Sequence, residues 1–242
     1  MDSLTGTKFQ PSLQRLSKIM KASGVRQTAS ACISVLEDHY LKCFDLLYGV
    51  RTSGYISLSE TSVDTSKFQQ ANRYGPVNAW AFQRLLRELA LSKNLRFADL
   101  GCGLGRACIL AAEYGFAKVT GVELASEFCA IARENIRKCR RSACRDVPIE
   151  IINDDVAKYS DTTTDDVFFM YRPFQWEFFG LVVAKLVKRA TEQGKTITVI
   201  YSERMNVPQP FTLALAQNPS FEAIHQLKTL GQQFDVYRCA PP

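Results

Sequence analysis

The chain has 242 residues, with 30 Lys and Arg against 24 Asp and Glu, which gives a formal charge of +6. This length corresponds to one large domain or to one domain with an extension, at about 100–200 residues per domain. A hydrophobic content of 46% excludes global disorder. No apolar run reaches the ~18 residues that span a bilayer, so the sequence predicts no membrane association.

The cysteines and histidines exclude several kinds of site. None of the eight cysteines forms CxxC, and the two histidines, His39 and His225, do not stand at zinc-ligand spacing, so we predict no metal site. A GxSxG nucleophile elbow is also absent. Unpatterned thiols, and an N-terminus without a basic region followed by an apolar stretch, favour the cytoplasm over secretion.

Residues 1–94 are predicted to form a helical extension with a lid loop. Apolar spacing indicates helices between Pro11 and Gly24, over 28–48 and over 77–91, separated by a polar loop over 49–76. The last helix should bury Trp80, Leu85, Leu86 and Leu89. Residues 1–96 hold 13 basic and 7 acidic residues, and 97–242 hold 17 of each. The whole surplus of +6 therefore lies in residues 1–96, which we expect to select the substrate.

Residues 95–242 alternate strand and helix patterns and are predicted to form the second domain. The predicted strands cover 96–100, 118–123, 148–153, 166–171, 196–201, 221–227 and 234–239, and the predicted helices cover 105–114, 126–140 and 175–193. This alternation indicates an α/β fold with a mostly parallel, doubly wound sheet. Since no helix separates the last two strands, they should form an antiparallel hairpin.

The segment with the clearest chemistry is Asp99-Leu-Gly-Cys-Gly-Leu-Gly105, a glycine-rich turn between a strand and a helix. Such a turn, at the carboxyl end of a central strand, is where open α/β sheets bind ligands. It lacks the GxxxxGK[ST] pattern of a phosphate-binding loop. Arg106 stands where the dinucleotide pattern GxGxxG needs a small residue, which disfavours a nicotinamide-dependent oxidoreductase.

Acidic residues follow the next two strands. Glu123 ends the second strand, where a carboxylate can accept hydrogen bonds from both ribose hydroxyls. Asp154 and Asp155 end the third, where an acid can accept a hydrogen bond from the amino group of adenine. Each acid alone is more often a helix cap or a solvated turn residue. Together with an acid at the glycine turn, which can receive an ammonium group, they predict a ligand that joins adenosine to an amino acid.

In these motifs the sequence resembles the class I S-adenosylmethionine-dependent methyltransferases, over residues 95–240. DLGCGLG (99–105), GVE (121–123) and NDDV (153–156) are similar to their first three motifs. The resemblance implies S-adenosyl-L-methionine as cofactor and a Rossmann-like seven-stranded sheet with a C-terminal antiparallel hairpin. It also implies cofactor-binding roles for Tyr74, Asp99, Gly101, Cys102, Gly103, Gly105, Glu123, Leu124, Asp155 and Val156. RYGP (73–76), DLGCGLGRACILAAEYGF (99–116) and MYRPF (170–174) resemble a bacterial subgroup whose acceptor is unassigned.

The fourth motif departs from the family. Many amino-group methyltransferases carry Asn or Asp followed by Pro, whereas this chain has Tyr171-Arg172-Pro173-Phe174, the four residues that the resemblance implies for catalysis. Arginine has only hydrogen-bond donors, so it cannot accept a proton from an amine. Arg172 could clamp an acidic group of the acceptor, or it could point to solvent or pair with an acid such as Glu177.

A methyltransferase acting on a protein or a small molecule is the leading hypothesis. Nucleic acid is less favoured, because no aromatic residue interleaves with the basic cluster Arg133, Arg137, Lys138, Arg140, Arg141 and Arg145. A binding module with a methyltransferase fold and no catalysis is the alternative that Arg172 keeps open. If the acceptor is protonated at neutral pH, Glu203 and Tyr171 are the titratable groups available as a base.

Overall fold

A computed structural model of the chain describes residues 41–54, 56, 61, 74–172, 176–205, 215 and 218–241. Its helices are 41–48 (α1), Ala79–Leu89 (α2), Arg106–Tyr114 (α3), Ser126–Lys138 (α4), Ala143–Asp146 (α5), Val156–Thr162 (α6) and Trp176–Glu192 (α7). Its strands are Arg96–Leu100 (β1), Lys118–Glu123 (β2), Ile149–Asn153 (β3), Val167–Tyr171 (β4), Ile197–Arg204 (β5), Glu222–Thr229 (β6) and Gln232–Cys239 (β7).

The seven strands form one sheet in the order β3-β2-β1-β4-β5-β7-β6. Strands β1 to β5 pair in parallel, and β7 runs antiparallel to both β5 and β6. The predicted fold class is therefore confirmed, including the C-terminal hairpin. The chain order reverses between β1 and β4, and the carboxyl ends of strands at such a switch point form the ligand crevice of this kind of sheet.

Apolar side chains cover both faces of the sheet. On one face Phe82 of α2 packs against Phe97 and Phe169, with ring centroids 6.2 and 4.6 Å apart, so that α2 spans β1 and β4. On the other face Phe179 of α7 meets Tyr201 of β5 at 5.3 Å. Burying side chains of this size contributes about 1.5–3 kcal/mol each. These two layers hold the carboxyl ends of the central strands in fixed positions.

Local capping explains why α2 is shorter than predicted, and helical spacing of about 100° per residue places Trp80 opposite the buried face. The side chain of Asn78 accepts a hydrogen bond from the backbone of Ala81, which starts the helix at Ala79. In that phase Leu85 and Leu86 face the core, and the prediction for them is confirmed. The prediction that Trp80 is buried was wrong: its side chain is 44% exposed and lies beside Arg84.

Two short helices, α5 and α6, were not predicted, because four and seven residues are too short to show a helical period. The predicted helix between Pro11 and Gly24, the first part of the helix over 28–48 and most of the loop over 49–76 lie outside the described residues. Within the described ranges, no helix is long and apolar enough to cross a membrane. The division into domains at residues 94 and 95 stays a prediction.

Candidate active site

The glycine turn joins β1 to α3 and is held by the neighbouring strand. The backbone N–H groups of Gly101 and Cys102 both donate to the carbonyl oxygen of Val122, at 2.9 and 3.0 Å, and the N–H of Gly105 donates to the carbonyl of Cys102 at 2.9 Å. Gly103 has a φ of +51°. A Cβ at this position would lie 2.3 Å from Cδ2 of Tyr74, so only glycine fits beneath the tyrosine ring.

Tyr74 covers the turn and is itself fixed by three contacts. Its hydroxyl donates to the carbonyl oxygen of Thr52 at 2.6 Å, and its backbone N–H donates to Ile56 at 3.0 Å. Its ring meets the edge of Phe128 with centroids 5.9 Å apart. Burial raises the pKa of Tyr74, so the phenol stays neutral at physiological pH. The structure thus places the predicted residue Tyr74 against the predicted residue Gly103.

Glu123, at the end of β2, reaches back to the same turn. Its Oε2 accepts from the backbone N–H of Gly103 at 2.9 Å and its Oε1 from that of Ala125 at 3.0 Å. Its residue is 8% exposed. Burial raises the pKa of Glu123, and the backbone N–H groups partly offset that effect by stabilising the charged form.

Asp99, at the end of β1, is 3% exposed and lies close to Glu123. Burial first, and then the charge of Glu123, raise the pKa of Asp99 to about 8. The thiol of Cys108 lies 3.8 Å from Oδ2 of Asp99. Two buried acids beside each other repel when both are ionised, so this pair is a natural site for a cation.

The end of β3 serves as a helix cap. Oδ1 of Asp155 accepts from the backbone N–H of Ala157 at 2.8 Å, which caps α6. Asp154 lies 3.7 Å from Lys158 and accepts from the N–H of Asp155. Val156 is buried, and Leu124 is half-buried with its carbonyl accepting from Asn153. Capping occupies one carboxylate oxygen of Asp155 and leaves the other for a further partner.

The fourth motif begins at Tyr171, the last residue of β4. Tyr171 is half-buried, and Arg172 is exposed with a φ of +41°. The charge of Arg172 lowers the pKa of Glu203, which places its guanidinium near the end of β5. Pro173 and Phe174 lie outside the described residues, as does the side chain of Glu177.

Arg106 has a structural role that the sequence did not reveal. It is 2% exposed, and its Nε donates to Oγ1 of Thr52 at 2.7 Å, while Nη2 lies 3.3 Å from Oδ1 of Asp45. Its guanidinium stacks over the ring of Phe44 at 4.5 Å. An arginine in the first turn of a helix opposes the helix dipole, and this unfavourable position was the one signal that it must have partners elsewhere.

Asn135 of α4 makes a second tie to the same segment. Its Nδ2 donates to the carbonyls of Leu104 and Arg51, at 2.9 and 3.0 Å, and its Oδ1 accepts from the N–H of Arg51 at 2.8 Å. Residues 51–53, which the sequence placed in a lid loop, are thereby fastened to the glycine turn. Two buried polar side chains, Arg106 and Asn135, thus fix residues 51–53 and, through Thr52, the ring of Tyr74 that covers the glycine turn.

The architecture and the turn define a class I methyltransferase fold. The model of the family described as histone methylation protein DOT1 matches residues 55–153. Comparison with curated protein sequences gives no match.

Solved methyltransferases share this fold. A ribosomal protein L11 methylase from Lactobacillus delbrueckii subsp. bulgaricus is 20% identical with a TM-score of 0.52, over 71% of this chain and 82% of that one. Magnesium protoporphyrin IX methyltransferase from Synechocystis PCC 6803 is 15% identical with a TM-score of 0.52, over 68% and 78%. An RNA methyltransferase from Salinibacter ruber is 19% identical with a TM-score of 0.50, over 69% and 94%.

The fold is that of the class I S-adenosylmethionine-dependent methyltransferases, and the family model that matches residues 55–153 is described by histone methylation. The chemistry of the site fits that cofactor. Asp99 and Glu123 are buried carboxylates at adjacent strand ends. The ring of Tyr74 lies so close to position 103 that only glycine fits there. The predicted enzyme class and cofactor are confirmed.

Proposed function

We propose that the enzyme transfers the methyl group to a protein side chain, at the edge of the sheet where β1, β2, β4 and β5 end. The observation that carries the cofactor half of this proposal is the contact between Glu123 and Gly103 beneath Tyr74, which joins three of the predicted residues in one cradle. The acceptor half is supported by the family model over residues 55–153, since that family is described by histone methylation.

The cofactor roles follow from the chemistry of the cradle. Asp99 and the turn of Gly101, Cys102, Gly103 and Gly105 would hold the cationic amino-acid end, because a carboxylate attracts an ammonium group and glycines let the backbone approach. Glu123 and Leu124 would hold the ribose. Asp155 and Val156 would frame the adenine, with the carboxylate oxygen that the helix cap leaves unused.

Once bound, the cofactor supplies a methyl group that is already activated by its positive sulfur. The protein then has to place the acceptor in line and exclude water. We assign that task to Tyr171, which ends the strand that pairs with β1, and to Arg172, Pro173 and Phe174, which come next in the sequence. The aromatic residues among them, and Tyr74, offer faces that stabilise a cation.

A small-molecule acceptor is the second candidate, and nucleic acid is less favoured. The basic cluster on α4 and beyond it is largely engaged within the protein. Arg137 and Lys138 both pair with Glu134, at 2.8 and 2.7 Å, and Arg141 pairs with Glu113 at 3.3 Å. Side chains held by neighbouring acids offer less charge to phosphates.

An extract assay tests the proposal. The purified enzyme is incubated with a cell extract and S-adenosylmethionine that carries tritium in its methyl group, and protein, RNA and small-molecule fractions are counted separately. We expect the label in the protein fraction. Label confined to RNA, or no enzyme-dependent label in any fraction, would contradict the proposal.

We also propose that the enzyme works in the cytoplasm. All seven described cysteines are free thiols, and six of them are buried. Thiols persist in a reducing compartment. Cell fractionation with an antibody against the chain checks this location.

A further inference from the structure

Two buried thiols lie beside the glycine turn, and the roles proposed for the cofactor cradle leave one of them, Cys108, without a task. Cys108 of α3 is 0% exposed, and Cys102 of the turn is 5% exposed. Their thiols hydrogen-bond to each other. Both sulfur atoms lie over Gly121 of β2, where a Cβ would stand 2.8 Å from Sγ of Cys102 and 2.9 Å from Sγ of Cys108. Only glycine at position 121 leaves room for this pair.

The glycine at position 121 is required by space and not by its backbone conformation. Its φ lies outside the left-handed region that favours glycine, and the residue belongs to the parallel ladder between β1 and β2. A Cβ there would also lie 2.7 Å from Cδ1 of Ile151. Glycine weakens the interior of a strand, because it has no side chain to pack. Strand β2 therefore gives up some stability at the point where it admits the two thiols.

The strand register places these thiols beside Asp99. Asp99 pairs with Gly121 on β2 and with Phe169 on β4, so its side chain lies on the face of the sheet that carries the thiols. The thiol of Cys108 donates to Oδ2 of Asp99 across 3.8 Å. Within the described ranges, Cys108 is the one residue whose side chain hydrogen-bonds to Asp99. Phe169, the neighbour on the other side, has no polar side-chain atom to offer.

The groups around Asp99 act on its charge in opposite directions. Burial and the charge of Glu123 on β2 raise the pKa of Asp99 to about 8, whereas the hydrogen bond from Cys108 lowers it. The pKa of Cys102, raised by its hydrogen bond with Cys108 and by burial, and the pKa of Tyr74, raised by burial, keep both of these groups neutral. Cys108 thus favours the charged form of Asp99, which is the form that attracts a cation.

We propose that Cys108 is a positioning residue for cofactor binding, whose thiol orients the carboxylate of Asp99 and stabilises its charge as the cationic end of the cofactor arrives. This inference rests on the proposed role of Asp99 and adds a residue that acts through it. A thiol is a weak donor. The carboxylate is therefore held in place while it keeps most of its attraction for an ammonium group.

The test follows the affinity for S-adenosylhomocysteine by calorimetry between pH 6 and 9, in the unaltered enzyme and in Cys108→Ala. Cys239→Ala is the matched control, because Cys239 is also buried, at 2% exposed, but lies on β7. Loss of the thiol donor should raise the pH at which Asp99 ionises by about 0.5–1 unit. Affinity should then fall about 3- to 10-fold at pH 7 and stay within about 2-fold of normal at pH 9. Cys239→Ala should follow the unaltered enzyme at every pH.

The shape of the pH profile separates this role from a structural one. A folded Cys108→Ala that matches the unaltered enzyme at pH 7 overturns the proposal. A loss of affinity that is equal at every pH also overturns it, because general damage to the site has no reason to depend on Asp99. If the affinity of the unaltered enzyme is itself flat between pH 6 and 9, the role of Asp99 in the proposed function fails, and that of Cys108 fails with it.

Infrared spectroscopy covers the case in which Cys108→Ala does not fold. The S–H stretching bands of the empty, unaltered enzyme are compared at pH 6 and pH 9, and the comparison is repeated on Asp99→Asn. A thiol absorbs at lower frequency when its acceptor is a carboxylate than when it is a neutral carboxyl group, so one band should move down as Asp99 ionises. Asp99→Asn should lack this movement. No moving band in the unaltered enzyme, or the same movement in Asp99→Asn, overturns the contact between Cys108 and Asp99.

Discussion

Nε of Arg106 donates a hydrogen bond of 2.7 Å to Oγ1 of Thr52, and Thr52 accepts through its carbonyl from the hydroxyl of Tyr74 at 2.6 Å. The hydroxyl of Thr52 in turn donates to Asp45 at 2.6 Å. Thr52 thus links the first residue after the glycine turn to the ring that covers the turn. The segment that precedes the sheet in sequence is in this way built into the cofactor cradle.

Replacing Arg106 by Met should destabilise the protein by about 3–5 kcal/mol, because it leaves Asp45 without the partner that neutralises it. Arg106→Lys should cost nearly as much, since lysine cannot reproduce the planar fork. Urea unfolding followed by circular dichroism measures both, with the exposed Arg145→Met as control. A loss below about 1 kcal/mol in Arg106→Met would show that the network is not structurally important.

Gly103→Ala should weaken the binding of S-adenosylhomocysteine and lower stability, because Cβ would lie 2.3 Å from the ring of Tyr74 at a φ of +51°. The clash with the ring and the positive φ should each lower the free energy of unfolding by about 1–3 kcal/mol. Gly194→Ala, at a similar φ of +58° with no atom within 4 Å, isolates the backbone effect. Combining Gly103→Ala with Tyr74→Ala should restore the stability that the clash with the ring removes. Equal losses in Gly194→Ala and Gly103→Ala would contradict the contact.

The stability of the empty enzyme should fall as pH rises from about 4 to 8. The pKa of Asp99 is raised to about 8 by burial and by Glu123, while an unfolded aspartate has a pKa of about 3.9. Between these values the native state holds a proton that the unfolded state has lost, so raising the pH favours unfolding. Thermal unfolding at several pH values should show this slope, and Asp99→Asn should flatten it. The exposed Asp146→Asn should leave the slope unchanged.

Binding of the cofactor should release a proton below pH 8. A cation beside Asp99 favours its charged form, so affinity should rise with pH until Asp99 is ionised in the empty enzyme. Calorimetric titrations of S-adenosylmethionine in buffers of different ionisation enthalpy count the protons released. An affinity that is flat from pH 6 to 8, with no proton release, would mean that Asp99 does not face the cation.

Asp155→Asn should separate the helix cap from the proposed contact with adenine. Asparagine caps a helix as well as aspartate, so stability should stay within about 0.5 kcal/mol, whereas Asp155→Ala should lose about 1 kcal/mol. If the second oxygen of Asp155 accepts a hydrogen bond from adenine, replacing it by an amide nitrogen should weaken the binding of S-adenosylhomocysteine about 10-fold. Unchanged affinity in Asp155→Asn would restrict this residue to capping.

The parts of the fold that sequence predicts are those set by neighbours in the chain. Strands β1 and β2 begin and end where the apolar pattern placed them, and the hairpin of β6 and β7 follows from the missing helix between them. The role of Arg106 could not be predicted, because the residues it holds lie 29 to 65 positions away in sequence. Exposure of Trp80, by contrast, follows from helical spacing, because at about 100° per residue it lies opposite the face of Phe82 and Leu85. Short-range patterns thus locate the glycine turn and the acids at the strand ends. The position of residues 51–53 and Tyr74 over that turn depends on polar contacts between residues far apart in sequence.

The most direct test of the central claim is a calorimetric titration of the unaltered enzyme with S-adenosylhomocysteine, repeated on Glu123→Gln. The carboxylate of Glu123 joins the glycine turn to the end of β2, where ribose would lie. We expect saturable binding of one molecule per chain, weakened about 10-fold or more in Glu123→Gln through the loss of charge-assisted hydrogen bonds. Absence of binding of both S-adenosylhomocysteine and S-adenosylmethionine by the folded, unaltered enzyme would contradict it.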